Sequence, residues 1–306
     1  MPTIQNSSSN VTGSDEQRAT LIGLTAILSW SLGVGWVRSI SNAYGPVEGM
    51  ALMYSIAALL LFMFQGGVRL RNLSYRALLL GGVLFVGTEL SFSLSIGYAA
   101  NNHQAIEVGM INYLWPTFTM IASILLKGRR ATWLIFPGVI VSAAGVFRVL
   151  GEGHGVELSA IYRDIASTPL SYGLALSSSI LWTIYCMVTA GMARGKSYVP
   201  VFFAIVAAIL WGKFMIDGEK AVVPDRDALL HLLGGAAAIA AGYGAWTIGI
   251  QRGNITFLAG ASYFIPVLSA FFAAFLLHAH LTSAFWSGAA MVCAGSVVCW
   301  LATRQT

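Results

Sequence analysis

The chain has 306 residues, 57% of them hydrophobic and only 9% charged, with a net charge of +5. Ordinary soluble domains carry about 25% charged residues, and a water-soluble fold of this composition would expose large apolar patches and aggregate. The basic residues fall in short clusters between apolar runs, not in the single stripe that nucleic acid selects; the partner this composition asks for is a lipid bilayer.

In chain order, residues 1–18 are polar and rich in Ser, Asn and Thr, without the basic start and apolar core of a signal peptide. They read as a disordered cytoplasmic tail. Ten apolar runs follow, each near the ~20 residues that a membrane-crossing helix needs: 19–38, 47–68, 75–98, 104–126, 132–150, 169–193, 199–216, 228–251, 255–277 and 282–303. The fold class expected is an all-α polytopic membrane protein. Trp30 lies in the first run, Glu89 and Ser93 in the third, and Asn112, Tyr113, Trp115 and Pro116 in the fourth. Trp182 and Tyr185 lie in the sixth, Tyr243 and Trp246 in the eighth, and Ser262, Tyr263 and Pro266 in the ninth. The longest loop, 151–168, separates the fifth run from the sixth.

That loop is where a duplication should be joined. Tyr113-Leu114-Trp115-Pro116 recurs in pattern as Tyr263-Phe264-Ile265-Pro266, and Thr132, Gly138 and Gly145 recur at the same offset as Thr282, Gly288 and Gly295. Two repeats, 19–150 and 169–303, follow from this. Five spans each is an odd number, so the second copy enters the membrane from the opposite side, and such inverted repeats place a solute site near the midplane between the halves. With the N-terminus in the cytoplasm, eleven Lys and Arg residues fall on the cytoplasmic side and six on the other. Both termini are therefore expected inside.

A ten-span inverted repeat with an aromatic residue near Pro in the fourth and ninth spans resembles the drug/metabolite transporter superfamily of EamA type, and the resemblance covers about residues 19–303. It implies a central cavity lined by the first, third, fourth, sixth, eighth and ninth spans of a bacterial inner-membrane protein. It further implies export of amino acids or similar metabolites from the cytoplasm.

The residues themselves suggest how such a cavity would work. A proline inside a helix frees the carbonyl four residues earlier, so Pro116 and Pro266 are expected to kink their spans and to expose polar backbone at Asn112 and Ser262. Glu89 stands mid-span, where a carboxylate costs roughly 2.5–3.5 kcal/mol unless it faces water, a partner or a proton. Three roles are open to it: binding a substrate ammonium, carrying a proton, or hydrogen-bonding as a neutral acid. Trp30, Tyr113, Trp115, Trp182, Tyr185, Tyr243, Trp246 and Tyr263 each offer an apolar face and a polar tip, which suits aromatic or bulky apolar cargo and a cation–π contact with an ammonium.

No catalytic motif and no ATP-binding loop is present. The chain is expected to be no enzyme, to need no cofactor or metal, and to move its small-molecule substrate, an amino acid, down a gradient or coupled to one. His278 and His280 are read as surface residues, and Cys186, Cys293 and Cys299 as buried small hydrophobes. Ten spans suffice to build a cavity, so a monomer is expected. Two alternatives remain: an exporter of drugs, organic cations or other metabolites on the same fold, and a membrane receptor or scaffold.

Overall fold

A computed structural model of the chain describes residues 13–64, 75–127, 131–151, 158–189 and 198–304. The tail before Gly13, part of the 151–168 connection, and the basic residues Arg69, Arg71, Arg129, Arg130, Arg194 and Lys196 lie outside the described residues. Every regular element among the described residues is helical. The first half holds α1 (Gly13–Ser31), α2 (Gly33–Tyr44), α3 (Pro46–Phe64), α4 (Tyr75–Gly97), α5 (Asn102–Asn112), α6 (Trp115–Lys127) and α7 (Ile135–Leu150). Then come α8 (Leu158–Ser167), α9 (Pro169–Thr189), α10 (Val199–Asp217), α11 (Arg226–Arg252), α12 (Ile255–Ser262), α13 (Ile265–Leu276) and α14 (Ser283–Arg304).

Seven helical segments are long and apolar enough to cross a membrane, or eight if α1 and α2, bent by 40°, are one broken span. Shorter apolar helices, Ile135–Leu150 and Ile265–Leu276, stand where the fifth and ninth runs were expected. Large apolar side chains such as Leu28, Leu59, Leu79, Ile140, Ile209, Leu230 and Phe271 are exposed on the outside of the bundle. In water such a surface would be a liability; in hydrocarbon it is the proper solvent-facing side.

Two sequence expectations need correction at the ends of elements. Residues 13–18, assigned to the disordered tail, are the start of α1. The connection at 151–168 is not all loop, because Leu158–Ser167 is a short helix that leads into α9 at Pro169. That proline opens α9, where its missing N–H is harmless.

The prolines of the Tyr-x-x-Pro pairs also act differently from expectation. Neither sits in the interior of a helix. The chain breaks before each one, between α5 and α6 and between α12 and α13. At the first break the Leu114 amide donates to the Ile111 carbonyl, and at the second Phe264 donates to Ala261, each at 3.1 Å. These tight i→i−3 bonds end one helix. Phe118 donating to Leu114 and Leu268 donating to Phe264 begin the next. Pro116 and Pro266 are then second in a new helix, where the amide they lack would have had no helical partner. The upstream pieces are capped alike, by Asn101 accepting from the Gln104 amide and Asn254 accepting from Phe257, each at 2.9 Å.

Packing pairs the two halves. α7 lies along α14, α3 along α10, α1 along α11 and α4 along α9. In the α7–α14 crossing, Gly138 faces Gly295 and Gly145 faces Gly288. A Cβ on Gly145 would stand 2.7 Å from the Gly288 carbonyl and 2.8 Å from the Val292 amide. Small residues let membrane helices approach this closely, and the gain is dispersion contact rather than a hydrophobic effect. Cys299 is buried in the same crossing against Gly138, Cys293 is buried too, and Cys186 is half-buried. Gly145→Ala is expected to lower stability by about 1–3 kcal/mol through overpacking. Thermal unfolding of the detergent-purified variant checks this.

Candidate functional site

A central cavity of about 130 Å³ opens among α1, α2, α3, α4, α5, α6, α9, α11 and α13. Its polar centre is Glu89. The helix α4 sets this carboxyl in the wall with its side chain buried, and two tyrosine hydroxyls donate to it. Tyr54 of α3 donates to Oε2 at 2.7 Å and Tyr243 of α11 donates to Oε1 at 2.5 Å. Among the described residues no Lys, Arg or His forms an ion pair with it. Two of the roughly four lone-pair sites of a carboxylate are thereby used, and two are left.

Aromatic rings make the walls. Trp30 packs on Tyr243 at 5.3 Å and on Trp246 at 5.0 Å between ring centroids. On the other side Trp182 stacks on Tyr185 at 5.1 Å and meets Trp115 edge-on at 6.3 Å. Phe85, one turn before Glu89 on α4, is wholly buried behind it among Trp182, Tyr185, Phe203 and Tyr243. Such pairs hold ring planes in place beyond what burial alone would do.

The residues singled out in the sequence divide into three groups. Trp30, Glu89, Asn112, Tyr113, Trp115, Trp182 and Tyr243 line the cavity. Tyr185 and Trp246 stand behind, bracing Trp182 and Trp30. Ser93, Ser262 and Tyr263 do not reach the lining. The Ser93 hydroxyl donates to the Glu89 backbone carbonyl and the Ser262 hydroxyl to Ala259, the usual back-bonding of a helical serine. Tyr263 is buried and packs towards Trp300. The two Tyr-x-x-Pro segments thus contribute unequally: Tyr113 and Trp115 from the first, Ile265 from the second.

Sequence reasoning missed Tyr54, Trp36 and Ser178, all of which line the cavity. Tyr54 had a signal, being the single tyrosine in the middle of the apolar run 47–68. Ser178 lies in the triplet Ser177-Ser178-Ser179, polar at mid-span. It accepts a hydrogen bond from the Asn112 amide at 2.7 Å, tying α5 to α9. A second buried carboxyl also went unread. Glu107 accepts from Tyr172 at 3.2 Å, away from the cavity.

Among the described residues no three His, Cys, Asp or Glu side chains gather as metal ligands. His278 and His280 are exposed, and His278, at φ 51°, forms the left-handed end of α13.

The EamA-like transporter family matches this chain twice, over residues 17–151 and again over 169–301. The chain belongs to that family. It is 45% identical over 289 residues to the aromatic amino acid exporter YddG of Escherichia coli K12, which covers 94% of this chain and 99% of that one. It is 27% identical to the aromatic amino acid exporter YddG of Ancylobacter novellus over 94% of this chain and 98% of that one. A solved crystal structure, 24% identical, superposes with a TM-score of 0.68 over 95% of this chain and 99% of its own, and so shares the fold. This EamA-like protein is accordingly a multi-pass membrane protein of a transporter family.

The clamp on Glu89 can be measured. Tyr54→Phe and Tyr243→Phe each remove one donor to a buried carboxyl, with an expected cost of about 1–3 kcal/mol. The two changes share one acceptor group, so their costs should not add. Thermal unfolding of both single variants and the double variant reads this coupling.

Proposed function

We propose that this protein exports aromatic amino acids from the cytoplasm across the bacterial inner membrane. The observation that carries this reading is the cavity itself. Trp30, Trp36, Trp115 and Trp182 wall it, and one carboxyl, Glu89, stands in it. An aromatic side chain finds ring faces there. The substrate ammonium finds a carboxyl with acceptor sites to spare, and ring faces that attract it by about 0.5–2 kcal/mol. The two relatives named as aromatic amino acid exporters agree in cargo.

The mechanism we propose is alternating access on ten spans, arranged as two inverted five-span repeats, 19–150 and 169–303, with both termini in the cytoplasm. The double family match, the two helix breaks at matching offsets and the Gly138–Gly295 and Gly145–Gly288 contacts support it. Exchanging the halves turns each of those glycine contacts into the other, as a two-fold axis between α7 and α14 requires. In such folds one half rocks against the other around the site. One chain suffices, and no cofactor takes part. The absence of an ATP-binding loop leaves the substrate gradient or a coupled ion as the energy source.

Uptake of labelled phenylalanine, tryptophan and threonine by purified protein in liposomes tests the reading. Phenylalanine and tryptophan are expected to enter well above empty vesicles, with threonine slower. Trp182→Ala is expected to cut the aromatic rates by at least about tenfold, the loss of one stacking wall worth 1.4 kcal/mol or more. Entry of a quaternary ammonium dye without any amino acid would replace the cargo with organic cations; binding without movement would favour a receptor. A reporter active only in the cytoplasm, fused after Thr306, is expected to be active.

A further inference from the structure

An amino acid carries an anion as well as an ammonium, and an ionised Glu89 serves the ammonium. Among the described residues that line the cavity there is no Lys, Arg or His. A carboxylate taken from water into this space must therefore be met by neutral donors or lose its hydration uncompensated. Several candidates are already engaged or are buried away from the open space. The hydroxyls of Tyr54 and Tyr243 go to Glu89. Thr88 donates to the Leu84 carbonyl at 2.8 Å. The indole nitrogens of Trp30 and Trp36 have no hydrogen-bond partner, but both are buried out of reach of solvent, that of Trp30 against Gly242, 3.1 Å from where a Cβ would be. Ser29 and Trp36 stand against α11 as well.

Asn112 is different. Its amide has two N–H groups, and one is given to Ser178, itself buried. That bond fixes the amide plane and leaves one donor for the cavity it lines. Asn112 is the last residue of α5, and the Tyr113–Leu114 break that follows turns the chain at the cavity wall. The helices α4 and α5 are consecutive and pack on each other. The two polar poles, Glu89 and Asn112, thus face one cavity from neighbouring helices, as an amino acid needs because its two charged groups share one carbon.

We propose that Asn112 binds the substrate carboxylate, with Ser178 as the positioning residue that orients its amide. This rests on the exporter reading and gives its site a polarity: ammonium towards α4, carboxylate towards the α5–α9 contact, ring among the tryptophans. Asn112 then decides whether the cavity prefers an amino acid over the corresponding amine.

Three ligands separate the poles: phenylalanine, phenethylamine, which lacks the carboxylate, and 3-phenylpropionate, which lacks the ammonium. Their dissociation constants are read from the tryptophan fluorescence of the purified full chain, and phenylalanine uptake is measured in liposomes in parallel. Asn112→Asp keeps the shape and replaces the donor with an anion. It is expected to weaken phenylalanine by at least about tenfold, the scale of one hydrogen bond to a charged group, and to leave phenethylamine unchanged or tighter. Ser178→Ala is expected to weaken phenylalanine in the same sense by a smaller factor, with phenethylamine unmoved and Ser178→Thr restoring binding. Glu89→Gln should weaken phenethylamine and leave 3-phenylpropionate no worse. Equal losses for phenylalanine and phenethylamine in Asn112→Asp, or no loss for either, would overturn this assignment while leaving the exporter reading in place. Failure of the unmodified protein to bind or move phenylalanine would overturn both.

Discussion

Inside a bilayer no water stands ready to satisfy a polar group, so each one must find a partner in the protein or face a cavity. Much of this structure can be derived from that constraint. Glu89 draws hydroxyls from α3 and α11. Arg38, buried in α2, donates to the Ala99 carbonyl at 2.8 Å and to Asn102 at 3.0 Å, so a cation closes the end of α4 and the start of α5. Glu48 accepts from the Val222 amide with both oxygens, at 3.2 and 3.0 Å, and holds the α10–α11 connection on α3. The residues with the highest cost of burial are the ones that fasten helices distant in sequence.

The same constraint governs the helix breaks. Interrupting a helix at membrane depth leaves amides and carbonyls without their usual bonds, which is tolerated only against protein or beside a cavity. The chain resolves this twice in one way, with a tight turn at Tyr113–Leu114 and at Tyr263–Phe264 and a proline two residues on. Around the breaks, the glycine crossing of α7 and α14 brings backbone against backbone. It supplies a close-packed seam, while the more open space between α1–α2, α4, α5 and α11 becomes the cavity.

The two stretches that the family matches contribute unequally to the site. Trp30 from the first stretch and Trp182 from the second both line the cavity. Glu89 is the one acidic residue among the described residues that line the cavity, and α11 holds no acidic residue after Asp227. Tyr113 reaches the lining, whereas Tyr263 is buried against Trp300. A symmetric cavity would offer both ends of a substrate the same chemistry. A molecule with an ammonium at one end of its head group and a carboxylate at the other calls for walls that differ.

What was legible in the sequence is what local chemistry dictates. Apolar runs of bilayer length, a carboxylate stranded in one of them and a repeated Tyr-x-x-Pro each stand out because their cost or their pattern lies within a short stretch of chain. These pointed to the membrane class and the family, and seven of the residues singled out with the help of that resemblance line the cavity. The tertiary structure decided the rest. Proline chemistry said that each span is interrupted, and only the hydrogen bonds put the break two residues earlier, since a helix end is set by which carbonyls find amides. Ser93 and Tyr185 sit one turn from Glu89 and Trp182 yet miss the lining, because the direction of a side chain depends on the neighbouring helix. Tyr54 and Ser178 stood out as polar groups in apolar runs, but their partners appeared only when α3 met α4 and α9 met α5. A hydrogen bond between residues 54 and 89, or 112 and 178, leaves no local mark on the chain: it exists only once distant helices have packed.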